Sequence, residues 1–220
     1  MNRVDLTPYP FPEGMEIPRL MPEQAKAFNG DGYLAAEVLR LKEAHGLTIA
    51  YETGTCLAST ALWLGDNFEL VWTYESNAAY YAIAARRIDD KFPETGCNIV
   101  PLNIDSVTGL RGGLQLTHDK TKGTFMFLDA HWGANCPLLE ELAYIAHGGI
   151  KPCIVIHDFQ VPGTDFGFDR FPDSGYPFSL EAIAPHLDKI YGEGKWKHNY
   201  PTKVEGARRG WISIEPDVHR

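Results

Sequence analysis

The sequence predicts a three-layer α/β sandwich built on a mostly parallel, seven-stranded sheet with a C-terminal antiparallel strand. Three observations carry that expectation. Apolar runs such as Leu47–Glu52 and Cys153–Asp158 are continuous rather than alternating, as in parallel strands covered on both faces. Between such runs lie segments whose apolar residues recur at helical spacing. The last two strand-like runs, 195–201 and 210–214, are joined by a connector too short for a helix, so they should run antiparallel.

Taken in order, residues 1–30 hold five prolines and little periodicity. They are expected to form an extended arm ahead of a single domain over residues 31–220. Asp31 is placed to start a helix with Leu34, Val38, Leu39 and Leu41 at apolar positions. Strand 47–52 and a helix over 56–64 follow, then strand 69–75 and a helix over 78–88. Strand 98–104 contains Pro101, which lacks the N–H that a central ladder needs and so points to a sheet edge. Strand 124–129 leads to a helix over 137–147 closed by Gly148-Gly149. Strand 153–158 opens into a long aromatic loop, 159–178, and a helix over 180–190 precedes the antiparallel pair.

Composition narrows the function. The 220 residues are 44 % apolar and 22 % charged, an ordinary globular balance. The 20 basic and 29 acidic residues give a net charge of −9, and no basic run exceeds Arg86-Arg87 or Arg208-Arg209. Nucleic acid and membrane surfaces are therefore poor partners. No stretch is apolar enough to span a bilayer, and the first residues lack a signal-like apolar core, so a cytoplasmic protein is expected. Cys56, Cys97, Cys136 and Cys153 are too scattered for a zinc cage or a disulfide framework. They are expected to be reduced and mostly buried.

The functional signal lies at the strand ends. In an open parallel sheet, ligands bind outside the carboxyl ends of the strands. Four of those ends carry polar side chains: Glu52, Glu75, Asp129 with His131, and His157-Asp158. Gly54 follows the first of these strands, where bare backbone can approach a ligand and a helix N-terminus offers N–H donors. By itself, Glu52-x-Gly54 is as often an ordinary strand-to-helix turn. Glu75 ends the next strand, where an acid can accept both hydroxyls of a ribose; the alternative is a solvated loop carboxylate.

Together, Glu52-x-Gly54, Glu75, Asp105-Ser106, Asp129-Ala-His131, Gly148-Gly149 and Ile156-His157-Asp158 resemble the class I S-adenosylmethionine-dependent methyltransferases. These have a Rossmann-like fold, and the similarity is to their small-molecule O-methyltransferase-like subgroup, with D-x-H after strand four and H-D after strand five. The resemblance covers residues 47–215 and implies an enzyme that methylates a small hydroxylated acceptor. It implies that Glu52 and Gly54 line the methionine part of the cofactor and that Glu75 holds the ribose. Asp105 would then face the adenine amino group with Ser106 beside it, and Asp129 the cofactor amine or a metal. Thr53, Thr55, Ser59, Ser76 and Trp132 would complete the cofactor site. Two departures stand out: Ala58 replaces a glycine of the first loop, and Phe159 stands where catechol-type, Mg-dependent members carry a third metal ligand.

Methyl transfer from a sulfonium is an in-line displacement that often needs a base. His131 is the candidate base, with Asp158 as its catalytic companion; a hydrogen-bonded structural histidine is the alternative. Asp129 and Asp158, with His157 as a weaker third, are candidate ligands for Mg²⁺ or another divalent cation. Strand alternation sends His157 and Asp158 to opposite faces, so both need not reach one site. Loop 159–178 is a lid or substrate wall, or packs onto the sheet edge. The arm has three open roles: covering the cofactor, mediating a homodimer, or fraying. Three other functions compete. A nicotinamide-dependent oxidoreductase would need more glycines in the first loop. A metal-dependent hydrolase or phosphoesterase would need more ligands. A non-catalytic S-adenosylmethionine-binding domain would need no base at all.

Overall fold

A computed structural model describes residues 22–93, 96–116, 123–131 and 136–217. Two 3-10 turns, Pro22–Ala25 and Ala27–Gly30, come first. Then follow α1 (Gly32–His45), β1 (Leu47–Thr53), α2 (Ser59–Asn67), β2 (Leu70–Tyr74), α3 (Ala78–Lys91), β3 (Ile99–Leu102) and α4 (Ser106–Leu116). The second half holds β4 (Gly123–Leu128), α5 (Leu138–Gly148), β5 (Cys153–His157), α6 (Leu180–Tyr191), β6 (Trp196–Asn199) and β7 (Trp211–Pro216).

The seven strands form one sheet in the order β3-β2-β1-β4-β5-β7-β6. All pairs among β1 to β5 are parallel, and β7 runs antiparallel to both its neighbours. Pro101 lies in β3, at the sheet edge, as its missing N–H requires. Strand order reverses between β1 and β4, opening a crevice at their C-terminal ends.

Alternation along the strands builds two apolar layers. Phe125, Phe127, Cys153 and Val155 face α1, α2 and α3 through Leu34, Val38, Leu64 and Ile88. Met126, Leu128, Ile154 and Ile156 face α4, α5 and α6 through Leu110, Leu142, Ile145 and Leu187. Local chemistry sets the helix ends. The Asp31 side chain accepts the N–H groups of Tyr33 and Leu34, and Asn77 does the same for Ala79 and Tyr80. Gly46 and Gly149 close α1 and α5 in the left-handed conformation.

Four sequence expectations need correction. Residues 22–30 of the expected arm are turns rather than extended chain, and Phe28 is buried edge-on against Trp63 and Phe127. Its burial contributes about 2 kcal/mol, which the proline count of the segment does not reveal. The helix expected from Cys56 starts only at Ser59, because Cys56 and Ala58 are left-handed (φ 48° and 59°). Of the cysteines only Cys153 is buried; all four are free, with Cys97 exposed. Lastly, α4 was not anticipated: Gly109, Gly112 and Gly113 weaken its helical signal. Among the described residues, no helix is long and apolar enough to cross a membrane.

Candidate active site

A cavity of about 580 Å³ lies at the C-terminal ends of the parallel strands. The sheet brings Glu52 and Gly54 from β1, Glu75 and Ser76 from β2, Asp105 and Ser106 from the β3 end, Asp129 and His131 from β4, and Asp158 from β5 into its lining. Thr55 and Ser59 line it too. Thr53 does not: its side chain is buried, and its Oγ1 accepts the Asp129 N–H at 3.1 Å. Trp132 lies outside the described residues.

The first loop is held from behind. Gly54 has φ 84°, and a Cβ there would lie 2.6 Å from the Asp129 carbonyl oxygen, so only glycine lets β1 and β4 end this close together. The N–H groups of Gly54 and Thr55 donate to the Tyr74 carbonyl. Glu75 spans two loops, accepting the Cys56 N–H at 2.9 Å on one oxygen and the Asn77 N–H at 2.8 Å on the other. The Ser76 N–H adds a third backbone hydrogen bond to the same carboxylate. Arg87, from α3, donates to the Leu57 carbonyl and to Ser59 Oγ.

Burial sets the charge state of this wall. Glu52 is fully enclosed, and burial pushes its carboxyl up to about 8 despite a 2.5 Å hydrogen bond from Thr73 Oγ1; the charges of Asp129 and Glu75 raise it further. Burial also raises Glu75, partly offset by its backbone hydrogen bonds. Asp105 is exposed, and the Thr108 N–H that it accepts at 2.9 Å keeps its carboxyl low. It thereby caps α4.

The polar cluster at the ends of β4 and β5 is tighter than alternation allows. Asp158 has φ 55°, a left-handed conformation that Asp tolerates better than most residues. The chain therefore leaves the pleat right after His157, and the two neighbouring side chains converge. His157 Nδ1 lies 3.2 Å from Asp129 Oδ1 and 3.4 Å from Asp158 Oδ1. His131 Nε2 lies 3.2 Å from Asp158 Oδ2 and 3.6 Å from Asp129 Oδ1. The expected separation of His157 from Asp158 is thus overturned, although His157 itself is buried behind the cavity wall. Desolvation opposes charge on both imidazoles, but the hydrogen bond to Asp158 and the carboxylate charges outweigh it and hold His131 above its ordinary value. Asp158 and Asp129 do the same, more strongly, for His157. Asp158 is held well below the usual carboxylate range, its burial overcome by His157 and His131.

Three contributors escaped the sequence reading. Arg209, at the start of the last connector's return, bonds both Asp158 and Asp169 through its guanidinium. It was visible only as half of a short basic run, and Asp169 gave no signal within an aromatic loop. Glu141 is fully buried near His131, and burial lifts its carboxyl to about 7 against hydrogen bonding from Ser106.

Three residues of the cluster could hold a cation, in competition with the Arg209 guanidinium on Asp158. Donor atoms of Asp129, His157 and Asp158 lie within 4.8 Å of one another, and the buried His157 Nδ1 makes no hydrogen bond of good geometry there. An imidazole with two carboxylates suits Mn²⁺ or Zn²⁺ as well as the Mg²⁺ expected from an all-oxygen set.

No protein-family model and no curated relative matches the chain. Solved structures do. An O-methyltransferase from Bacillus cereus in complex with SAH aligns with a TM-score of 0.55 and 14 % identity, over 90 % of this chain and 82 % of that one. The human methyltransferase 10 domain containing protein aligns at 0.53 and 12 %, over 92 % and 89 %. A putative caffeoyl-CoA O-methyltransferase from Staphylococcus aureus aligns at 0.50 and 14 %, over 83 % of each chain. The chain has the fold of the class I S-adenosylmethionine-dependent methyltransferases, and the cavity lies where the strand order reverses.

Proposed function

We propose that the protein transfers a methyl group from S-adenosylmethionine to a hydroxyl of a small acceptor, with His131 as general base. One observation carries the reading: a single cavity gathers Glu52, Glu75, Asp129, His131 and Asp158 from four separate strand ends. S-adenosylmethionine supplies an electrophilic methyl on a sulfonium. Glu52 and Glu75 face it with carboxylates, the first suited to a cation and the second to paired hydroxyls. Asp105, at the α4 cap, accepts an amino group at the far end.

His131 takes the acceptor proton on Nδ1, and Asp158, which accepts its Nε2–H, steadies the resulting imidazolium. Asp129, His157 and Asp158 would hold a divalent cation, which supplies Lewis acidity toward the acceptor oxygen when bound. Arg209 competes for Asp158, so the same residues also work without a metal, the guanidinium keeping Asp158 ionised and oriented.

Thermal-shift titration tests the reading. S-adenosylmethionine and S-adenosylhomocysteine at 100 times their dissociation constants should each add about 2.7 kcal/mol, or roughly 5–10 °C. NAD⁺ and NADP⁺ should add nothing; a shift with nicotinamide cofactors alone would sink the proposal. His131→Ala should keep the cofactor shift and lose about 10²–10⁴-fold in methyl transfer once an acceptor is in hand. Chelation followed by Mn²⁺, Zn²⁺ or Mg²⁺ decides the role of the cation.

A further inference from the structure

Beside the first cavity lies a second, of about 840 Å³, which shares Cys136 and Glu140 with it. Its walls come from the aromatic loop and the starts of α5 and α6. We propose that this second cavity takes the body of the methyl acceptor, and that the acceptor carries a protonated amine remote from its reacting hydroxyl. The inference rests on the methyltransferase reading and adds to it the location and charge class of the substrate.

Position argues first. The Phe178 ring lies edge-on to His131 at 4.7 Å between centroids and meets the Phe171 ring at the same separation. Phe171 lines the second cavity. One ring therefore separates the candidate base from the cavity wall, and an acceptor lodged there can extend its hydroxyl past Cys136 toward His131. Leu139, Phe171, Pro172, Tyr176 and Pro177 give the wall an apolar character suited to a ring or short chain.

Charge argues second. Glu140, Asp173 and Glu181 line the second cavity, and no lysine, arginine or histidine stands among its described lining residues. The nearby cations are already engaged. Arg170 donates to the Gly175 carbonyl and lies over the Phe168 ring; Arg209 is held between Asp158 and Asp169. The first cavity continues the same sign: among its described lining residues Glu75, Asp105, Asp129 and Glu140 face Lys26 and His131, with Asp158 already paired to Arg209. A cleft lined by one sign focuses its field and draws in counter-ions. An ammonium gains from that field, whereas a carboxylate, a phosphate or a coenzyme A ester would enter with no cation to meet it.

Three phenols that differ only in the tail test this: tyramine (ammonium), tyrosol (hydroxyl) and 4-hydroxyphenylacetate (carboxylate). Each is titrated calorimetrically into the protein saturated with S-adenosylhomocysteine. Tyramine should bind about tenfold more tightly than 4-hydroxyphenylacetate, with tyrosol between them. Added salt should narrow the gap, and so should E140Q, D173N and E181Q, whose side chains are exposed and whose substitution leaves the core intact. Equal affinities, the reverse order, or no binding by tyramine overturns the inference. The S-adenosylhomocysteine titration is read separately. Binding there without an amine preference removes the acceptor class alone, while no binding there removes the methyltransferase reading and this inference with it.

Discussion

Asp158 follows β5 directly with a left-handed backbone, and that one conformation gathers the site. In regular strand geometry its side chain would join Ile154 and Ile156 on one face while His157 joined Val155 on the other. The turn instead sets both against Asp129, with His131 and Arg209 completing the cluster. The residue types were legible in the sequence, because acids and histidines at strand ends are unusual in such apolar runs. The backbone angle was not, since Asp occupies both conformations. Glu52 shows a second property of single residues. A carboxyl raised in the fold from 4.5 to about 8 binds its proton more tightly folded than unfolded. It therefore stabilises the fold fully below about pH 4.5 and loses that contribution as the pH rises through about 8. A bound cation favours the carboxylate and reverses the balance. Affinity for S-adenosylmethionine should accordingly rise between about pH 6 and about pH 8.5, and Glu52→Gln should flatten the profile in calorimetric titrations. A flat wild-type profile would place the sulfonium or ammonium away from Glu52.

α4 is the element that local signals hid. Its sequence, SVTGLRGGLQL, spends three positions on the poorest ordinary helix former. The reason is contact with the sheet. A Cβ on Gly109 would lie 2.5 Å from the Tyr74 ring, and one on Gly113 would lie 2.3 Å from Tyr74 Oη and 2.9 Å from Tyr51. Both tyrosines are buried, and Tyr51 Oη donates to the Gly113 carbonyl at 3.2 Å, so neither ring can retreat. Glycine trades helix propensity for a close approach that sets Ser106 and Asp105 at the cavity rim. Gly113→Ala should gain about 1 kcal/mol of propensity and still destabilise the protein by about 1–3 kcal/mol through overpacking. Urea unfolding measures the sum, and a stabilised variant would mean that α4 can lift off the sheet at little cost. By contrast α1, α3 and α5 were legible, because Asp31 and Gly149 mark their ends and apolar spacing marks their faces.

Across the whole molecule, Arg209 links parts that are far apart in sequence. It joins Asp158 at the site to Asp169 in the aromatic loop, and its neighbours continue the tie: Gly167 N–H donates to the Arg208 carbonyl, and Gly210 N–H to the Gly167 carbonyl. The loop is thereby pinned to the start of β7. Arg209→Gln should leave two carboxylates without their cation and cost about 1–3 kcal/mol, seen as a midpoint lower by roughly 5 °C. Amide exchange should quicken in residues 159–178 and stay unchanged in β1 and β4; uniform quickening would show that the arginine supports the core rather than the loop. The sequence by itself determined the parallel sheet, its edge at Pro101, the antiparallel return of β7 and the strand ends that carry chemistry. Apolar periodicity and the missing proline N–H act within a few residues, and such constraints can be read locally. Only the tertiary structure decided the convergence of His157 with Asp158, the docking of Phe28, the glycine-rich α4 and the reach of Arg209. Each depends on which surfaces meet across the fold, and no local periodicity records that.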